Sequence, residues 1–143
     1  MYNLNPFLAG TVDVARNERR DLLSSLRKKL ADLRGSGNVV VFSVPHRHDL
    51  PDWSIVNKEV IKTNEDIFRI CKRFQNVTWI DVSSIGRRFH TSNGLHFNNL
   101  GKKYISRKIL EIVNGIANQI KESDPIPLYQ KDEFFLENIC RGV

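Results

Sequence analysis

The sequence predicts an α/β fold built on a parallel β-sheet. Three amphipathic segments alternate along the chain with two short apolar runs, and this alternation is typical of parallel strands joined by right-handed helical crossovers. The 143 residues, 41% of them hydrophobic, fit a single domain over residues 1–143. Since two strands make a poor sheet, we expect either that the segment before Asn17 adds a strand or that the chain is the C-terminal part of a larger fold.

The first helix is predicted over residues 17–33, and a strand follows it. Leucines recur in this helix at steps of three and four residues among charged side chains, which places them on one face. They are Leu22, Leu23, Leu26, Leu30 and Leu33. The glycines at 35 and 37 end the pattern. The next run, NVVVFSVP (38–45), is apolar without alternation, as in a strand covered on both faces, and Pro45 closes it.

Two further helices and one further strand are predicted downstream. The second helix lies within residues 52–74, with Asp52 as its N-cap and with an interruption of its apolar stripe near Asn64. The run NVTWIDVSSI (76–85) is the second strand. A third helix follows the segment 98–101 and again has one apolar face. The order of these elements supports a parallel sheet.

The C-terminal segment 124–143 is predicted to be separate from the last helix. Pro125 and Pro127 end that helix, because proline cannot continue its hydrogen bonding. The segment then carries a short apolar group, namely Phe134, Phe135, Leu136 and Ile139. We expect this group to pack back onto the sheet. An exposed docking segment is the alternative, since adjacent phenylalanines seldom stay in water.

The composition favours a soluble intracellular protein. No apolar run approaches the ~18 residues of a membrane helix, and the N-terminal residues lack the basic start and the apolar stretch of a secretory signal. We therefore expect a cytoplasmic protein without a membrane partner. Cys71 and Cys140 form no close pair, so two reduced thiols are expected.

The histidines lie in the two loops that follow the predicted strands. In a sheet of this kind, ligands gather at the carboxyl ends of the strands. The histidines are His46, His48, His90 and His96. One hypothesis is a metal-dependent hydrolase that uses the H-x-H-D loop, with His46, His48 and Asp49 as metal ligands together with His90 or His96, because zinc accepts imidazole and carboxylate together. The other hypothesis is a charged loop in which Arg47 and Asp49 pair.

Several blocks of the sequence resemble the SGNH (GDSL-like) hydrolases, in matching order over residues 9–120. NGLHFNNLGKKYIS (93–106) is similar to the last block of that family, in which a D-x-x-H turn supplies the acid and the base of a Ser-His-Asp triad. VVVFSVPHRHDLPDW (39–53) is similar to the penultimate strand and its P-x-R-x-D turn. AGTVDVARNE (9–18) resembles the G-T-N-D block, whose Asn donates to the oxyanion.

The resemblance implies a three-layer αβα sandwich, flavodoxin-like and truncated at the N-terminus. It implies serine-type hydrolysis of an acyl ester without a cofactor. It places His96 at the catalytic base and Asn93 at the triad acid. It also places three residues in the oxyanion region, namely Gly10, Thr11 and Val12.

Departures from the family pattern predict a truncated and inactive domain. The G-D-S nucleophile block is not found in this sequence. Val12 stands in place of the oxyanion Asn, and such a donor is worth ~10²–10³ in rate. Asn93 stands in place of the triad Asp, a change that costs about 10⁴ in serine proteases. Ser43 at a strand end could imitate a nucleophile, but it lies in no sharp glycine turn, so a buried strand residue is the preferred interpretation.

The sequence indicates two kinds of partner, namely another protein chain and nucleic acid. A truncated sheet exposes an edge near residues 6–14, which favours self-association or a partner chain. The net charge of +6 and the pI of about 9.5 favour weak, sequence-blind and salt-sensitive contact with nucleic acid. Basic residues are spread along the chain without a zinc-finger or RNP motif. A non-catalytic interaction module is therefore the alternative to an enzyme, and a degenerate copy from a mobile element is a further expectation by analogy.

Overall fold

The computed structural model describes residues 4–8, 15 and 17–120, and it has an α/β fold with a parallel sheet. The strands are β1 (Leu4–Leu8), β2 (Asn38–Phe42) and β3 (Val77–Ile80). The helices are α1 (Arg19–Asp32), α2 (Ile55–Cys71) and α3 (Asn99–Ile120), and a short 3₁₀ helix covers Arg87–Phe89. The sheet has the order β1-β2-β3, with both pairings parallel. The prediction that the segment before Asn17 adds a strand is confirmed.

Strand β2 packs against helices on both of its faces. Val39 and Val41 belong to one buried cluster with residues of α1 and α2. Val40 and Phe42 belong to a second cluster with residues of α3 and of the loop after β3. Because side chains alternate between the faces of a strand, both sets must be apolar. This explains why the sequence of β2 is apolar without alternation, as predicted.

Helices α1 and α2 share one face of the sheet and are joined by an ion-pair group. The buried leucines of α1 are Leu23, Leu26 and Leu30. At the start of α1, the Arg19 guanidinium donates to the carboxylates of Asp66 and Glu59 on α2, the latter at 3.4 Å. These charged groups are partly exposed, so the leucine contacts supply most of the stabilisation.

The interruption of the apolar stripe of α2 has a structural role. Asn64 is buried, its Oδ1 accepts from the Val44 amide at 2.6 Å, and its Nδ2 donates to the Val44 carbonyl at 2.9 Å. The side chain thereby pairs a buried peptide group beyond the end of β2. The predicted N-cap Asp52 is wrong. Ser54 caps α2 by accepting from the Asn57 amide at 3.1 Å, because the helix begins two residues later than predicted.

The start of α3 is anchored to the loop after β3. Asn98 Oδ1 accepts from the Gly101 amide at 2.9 Å, and Asn98 Nδ2 donates to the carbonyls of Arg88 and His90 at 2.8 Å each. Gly101 lies in the first turn of the helix rather than before it. A Cβ at this position would lie 2.2 Å from the Phe89 carbonyl oxygen, so only glycine allows this approach.

The outer strands of the described sheet are β1 and β3. The predicted interaction edge at residues 6–14 starts in β1, whereas residues 9–14 lie outside the described part of the chain, as does the segment 124–143. Self-association at that edge stays a prediction. Within residues 4–8 and 17–120, none of the helices combines the length and the apolar character that a membrane crossing requires.

The contact at Gly101 gives a direct test of how α3 is seated. Gly101→Ala should lower the free energy of unfolding by about 1–3 kcal/mol, because backbone must move to admit the methyl group. Gly115→Ala is the matched control in the same helix. A Cβ there meets no atom within 4 Å, so stability should rise by up to about 1 kcal/mol through helix propensity. Urea unfolding measures both, and equal effects of the two substitutions would show that the Phe89 contact is wrong.

Candidate functional site

The loops after β2 and β3 meet at the carboxyl edge of the sheet, and Ser43 joins them. Its Oγ donates to Asp81 Oδ1 at 2.9 Å and accepts from the amides of Val82 at 2.8 Å and Ser83 at 3.1 Å. Ser43 is fully buried. The hydroxyl therefore holds two loops together and is closed to a substrate, in agreement with the preferred interpretation of this residue.

The turn at Gly94 docks on the loop after β2. Gly94 has φ +79°, and a Cβ there would lie 2.7 Å from the His48 carbonyl carbon and 2.8 Å from the Asp49 nitrogen. The His48 amide donates to the Gly94 carbonyl at 3.2 Å. Both the left-handed backbone and the close approach require glycine. The motif G-L-H-F-N-x-x-G, residues 94–101, thus positions the two loops against each other.

Three of the four histidines form a continuous row of ring contacts with Phe97, edge-on or tilted rather than face to face, and we call this row the histidine stack. The ring centroids of His46 and His48 are 4.8 Å apart, those of His48 and His90 are 4.4 Å apart, and those of His90 and Phe97 are 4.8 Å apart. The order of exposure follows the order of the stack, since His90 and Phe97 are buried while His46 and His48 are half-buried. The sequence predicted that histidines gather at this edge, and for these three the prediction is confirmed.

Hydrogen bonds fix which ring nitrogens of the stack carry protons. His48 Nε2 lies 3.2 Å from the Ile85 carbonyl and His90 Nδ1 lies 3.1 Å from the Gly86 carbonyl. A carbonyl only accepts, so each of these nitrogens is protonated. His46 Nε2 lies 2.9 Å from Asp52 Oδ1. The other nitrogen of His90, Nε2, is buried without a hydrogen-bond partner among the described residues.

The environment of His90 disfavours its charged form. Burial lowers the pKa of His90 below its ordinary value, and the neighbouring charges of His48, Arg87 and His46 lower it further. The hydrogen bond to the Gly86 carbonyl acts in the opposite direction and only partly offsets these effects. The inner end of the stack is therefore a neutral imidazole near pH 7.

Arg47 and Asp49 form a bidentate ion pair beside the stack. Arg47 Nε donates to Asp49 Oδ1 at 2.7 Å and Arg47 Nη2 donates to Oδ2 at 2.6 Å. This hydrogen bonding lowers the pKa of Asp49. Buried Asn57 holds the same loop, accepting from the Arg47 amide at 2.9 Å and donating to the carbonyls of Arg47 and Pro51 at 3.0 Å each. The predicted Arg47–Asp49 pair is confirmed.

The structure does not pair Asn93 with His96. Asn93 Oδ1 accepts from Thr91 Oγ1 at 2.6 Å and from the Leu95 amide at 3.0 Å, which closes its own turn. His96 is exposed, and the ring contacts of the stack are made by His46, His48, His90 and Phe97. No hydrogen bond joins the side chains of Asn93 and His96 in the described part of the chain. The resemblance-based roles of both residues stay predictions.

Three sets of candidate residues remain, namely the metal ligands, the oxyanion residues and the cysteines. Within the described ranges, no group of three or more His, Cys, Asp or Glu side chains is arranged to hold a metal ion, so the metal hypothesis gains no support there. The oxyanion candidates Gly10, Thr11 and Val12 lie outside the described residues. Cys71 is a free thiol, and burial raises its pKa to about 11. Cys140 also lies outside the described residues.

Sequence reasoning missed two residues that build the edge, Asn57 and Asn64. Both are buried polar residues on α2 that hold the chain leaving β2. Their spacing of seven residues was a usable signal, because positions seven apart share one face of a helix and two amides on an apolar face need buried partners.

A comparison with protein-family profiles, with curated proteins and with solved structures finds no match to this chain. The resemblance to the SGNH hydrolases thus rests on the motifs within residues 9–120.

The histidine stack predicts a fall in stability under mildly acidic conditions. His90 binds a proton less readily when folded than when unfolded, where its pKa is about 6.5. The unfolded state therefore gains protons first, and stability is lost as pH falls through about 6.5 and on through the lower folded pKa, by up to about 1.4 kcal/mol per pH unit for one such group. Asp49, whose pKa is lowered, loses its contribution only at pH values below this window.

Urea unfolding across this pH range tests the prediction in three proteins. In His90→Asn the amide can still donate to Gly86, and the pH dependence should become shallower. His96→Asn changes an exposed histidine outside the stack and should leave the pH dependence as in the wild type. An unchanged slope in His90→Asn would show that burial of His90 is not its source.

Proposed function

We propose that the chain is an SGNH-type domain with a three-layer αβα arrangement that does not hydrolyse esters. The order of the motifs supports the assignment, as do the parallel sheet and the helices on both faces of β2. A shared fold says nothing by itself about activity, because activity depends on the individual side chains of the site.

The orientation of Asn93 is the observation that carries the proposal. In the family the acid at this position holds the catalytic histidine and stabilises its charged form. Here the Asn93 carbonyl oxygen is occupied by the Thr91 hydroxyl and the Leu95 amide. The Asn93 side chain consequently does not hold the His96 imidazole, and an amide in the triad acid position costs about 10⁴ in rate in serine proteases.

Ser43 does not replace the missing nucleophile. A catalytic serine has an accessible hydroxyl beside its base. Ser43 is fully buried, and its hydroxyl bonds to Asp81 and to two backbone amides. Freeing this hydroxyl would leave the buried Val82 amide without its acceptor, at a cost of about 1–3 kcal/mol.

Packing accounts for the rest of the motif that resembles the catalytic block. Gly94 and Gly101 permit close backbone approaches, Phe97 is buried in the core, and Asn98 caps α3. The fold therefore retains these residues for stability, without any need for catalysis. His96 is exposed and has no such packing role.

An interaction role is the second candidate function. Trp53 is 75% exposed and Ile55 is 80% exposed, and both follow Asp52, the partner of His46. Large apolar side chains exposed together beside a loop cluster are typical of binding surfaces. This favours a binding domain over an enzyme. Were a longer protein to supply a serine block, the reaction would instead be serine-type ester hydrolysis with His96 as the base and no cofactor.

The activity test compares purified wild type with His96→Ala and Asn93→Asp in hydrolysis of p-nitrophenyl acetate. The three proteins should show the same rate, because neither removing the histidine nor adding a carboxylate changes a reaction that has no nucleophile. An esterase with an intact triad serves as the positive control. A rate that falls at least about tenfold in His96→Ala would mean that His96 acts as a base, and Ser43→Ala would then test the nucleophile.

A further inference from the structure

The outer edge of β3 leaves backbone groups without a neighbouring strand in the described structure. The Val39 amide donates to the Asn76 carbonyl at 2.8 Å, and the Ser43 amide donates to the Ile80 carbonyl at 2.9 Å. In a parallel ladder, alternate residues bond to the same neighbour, so the peptide groups of Val77 and Trp79 point to the outer side. There the Val77 amide donates to the Phe74 carbonyl at 3.4 Å, and the peptide groups of Trp79 face the open edge. Such an edge is a ready site for another segment of chain.

A groove with aromatic and polar walls runs along this edge on the side of α2. It has a volume of about 420 Å³ and is lined by residues of α2, of the turn that follows it and of β3, among them Phe68, Phe74, Val77 and Trp79. Phe68 is 40% exposed, and its ring centroid lies 5.0 Å from that of Trp79. Ile61, seven residues earlier on the same face of α2, is 57% exposed. We call this surface the β3 groove.

Trp79 gives a second and independent sign that the β3 groove is incomplete. Its indole Nε1 is buried and has no hydrogen-bond partner among the described residues. A buried tryptophan N–H usually has a partner, and an unpaired buried donor costs about 1–3 kcal/mol. An additional segment that rearranges the groove on binding would supply the missing acceptor.

We propose that residues 132–137 of the same chain occupy the β3 groove. Phe134, Phe135 and Leu136 form the apolar centre of this segment, and the acidic residues Asp132, Glu133 and Glu137 flank it. The rim of the groove is basic at exposed Lys72, and exposed Arg73 is the next residue in the chain. The Lys72 ammonium lies 5.1 Å from the centre of the Phe68 ring.

Charge favours residues 132–137 as the occupant over the same edge of a second copy of the chain. Two copies meeting at this edge would bring basic rims together, which is unfavourable, whereas the acidic flanks of residues 132–137 complement the rim. Burial of the two phenylalanines against the aromatic walls of the groove supplies the main stabilisation, since each large apolar side chain contributes roughly 1.5–3 kcal/mol.

The path of α3 makes the contact geometrically feasible. Ile105 and Ile109 of α3 pack on Val40 and Phe42, on the face of the sheet opposite the groove. The helix starts at the carboxyl edge and its 22 residues span ~33 Å, so it ends beyond the amino edge, where β3 begins. The residues from 121 to 134 can reach ~45 Å when extended, which suffices to pass around β3 across layers spaced ~10 Å apart.

Amide hydrogen exchange on the full chain tests the contact. Phe134→Ser combined with Phe135→Ser should speed exchange in the peptide covering residues 77–80 by at least about tenfold, since the outward amides lose their cover. Leu128→Ser combined with Tyr129→Ser is the matched control, because it removes two apolar side chains of the same C-terminal region and should leave the peptide protected. In a Trp53→Phe background, the fluorescence emission of Trp79 should shift to the red when Phe134→Ser and Phe135→Ser are added. It should not shift when Leu128→Ser and Tyr129→Ser are added. An unchanged exchange rate in the protein with Phe134→Ser and Phe135→Ser would overturn the proposal.

Zero-length carbodiimide cross-linking of the wild type keeps the test independent of any variant that fails to fold. An equal mixture of ¹⁴N and ¹⁵N protein should give cross-links from Lys72 to Asp132 or Glu133 within chains of one isotope. Mixed-isotope cross-links at these residues would show that another copy provides the segment. That outcome, or the absence of these cross-links, would overturn the proposal.

Discussion

Strand β2 ends where water cannot reach its polar groups, and the carboxyl edge of the sheet is organised around that end. Ser43 and Val44 are both fully buried as the chain leaves the ladder. The peptide groups of Val44 are paired by the Asn64 side chain, and the Ser43 hydroxyl pairs with the loop after β3. A buried peptide left unpaired would cost about 1–3 kcal/mol. These side chains thus fix both loops at once, and the histidine stack is a consequence of that arrangement.

The need to pair buried polar groups also gives structural roles to residues in the segments that resemble the SGNH hydrolases. A serine whose hydroxyl carries the joint between two loops cannot also attack a substrate, and an asparagine that closes its own turn cannot hold an imidazole. Gly94 and Gly101 serve backbone approaches to His48 and Phe89. Packing thus gives a physical reason for the turn and for the helix start in this segment.

Periodicity predicted the helices and the parallel sheet because those patterns are local, whereas the contents of the edge depend on contacts between distant residues. Asp and Ser are both favoured at helix N-caps, but here Asp52 contacts His46 in the loop and Ser54 caps α2. The position of His96 depends on an isolated antiparallel bridge between His90 and Phe97. Because neighbouring residues in extended chain point to opposite sides, burial of Phe97 turns His96 outwards. Neither pairing is visible in the sequence.

Reaction with a fluorophosphonate probe tests most directly whether any serine of this chain is activated. The probe forms a stable adduct with the nucleophile of a serine hydrolase, and intact mass followed by peptide mapping locates it. The account predicts no adduct on the native full chain under conditions that fully label an esterase with an intact triad. An adduct on Ser43 that disappears in His96→Ala would contradict it.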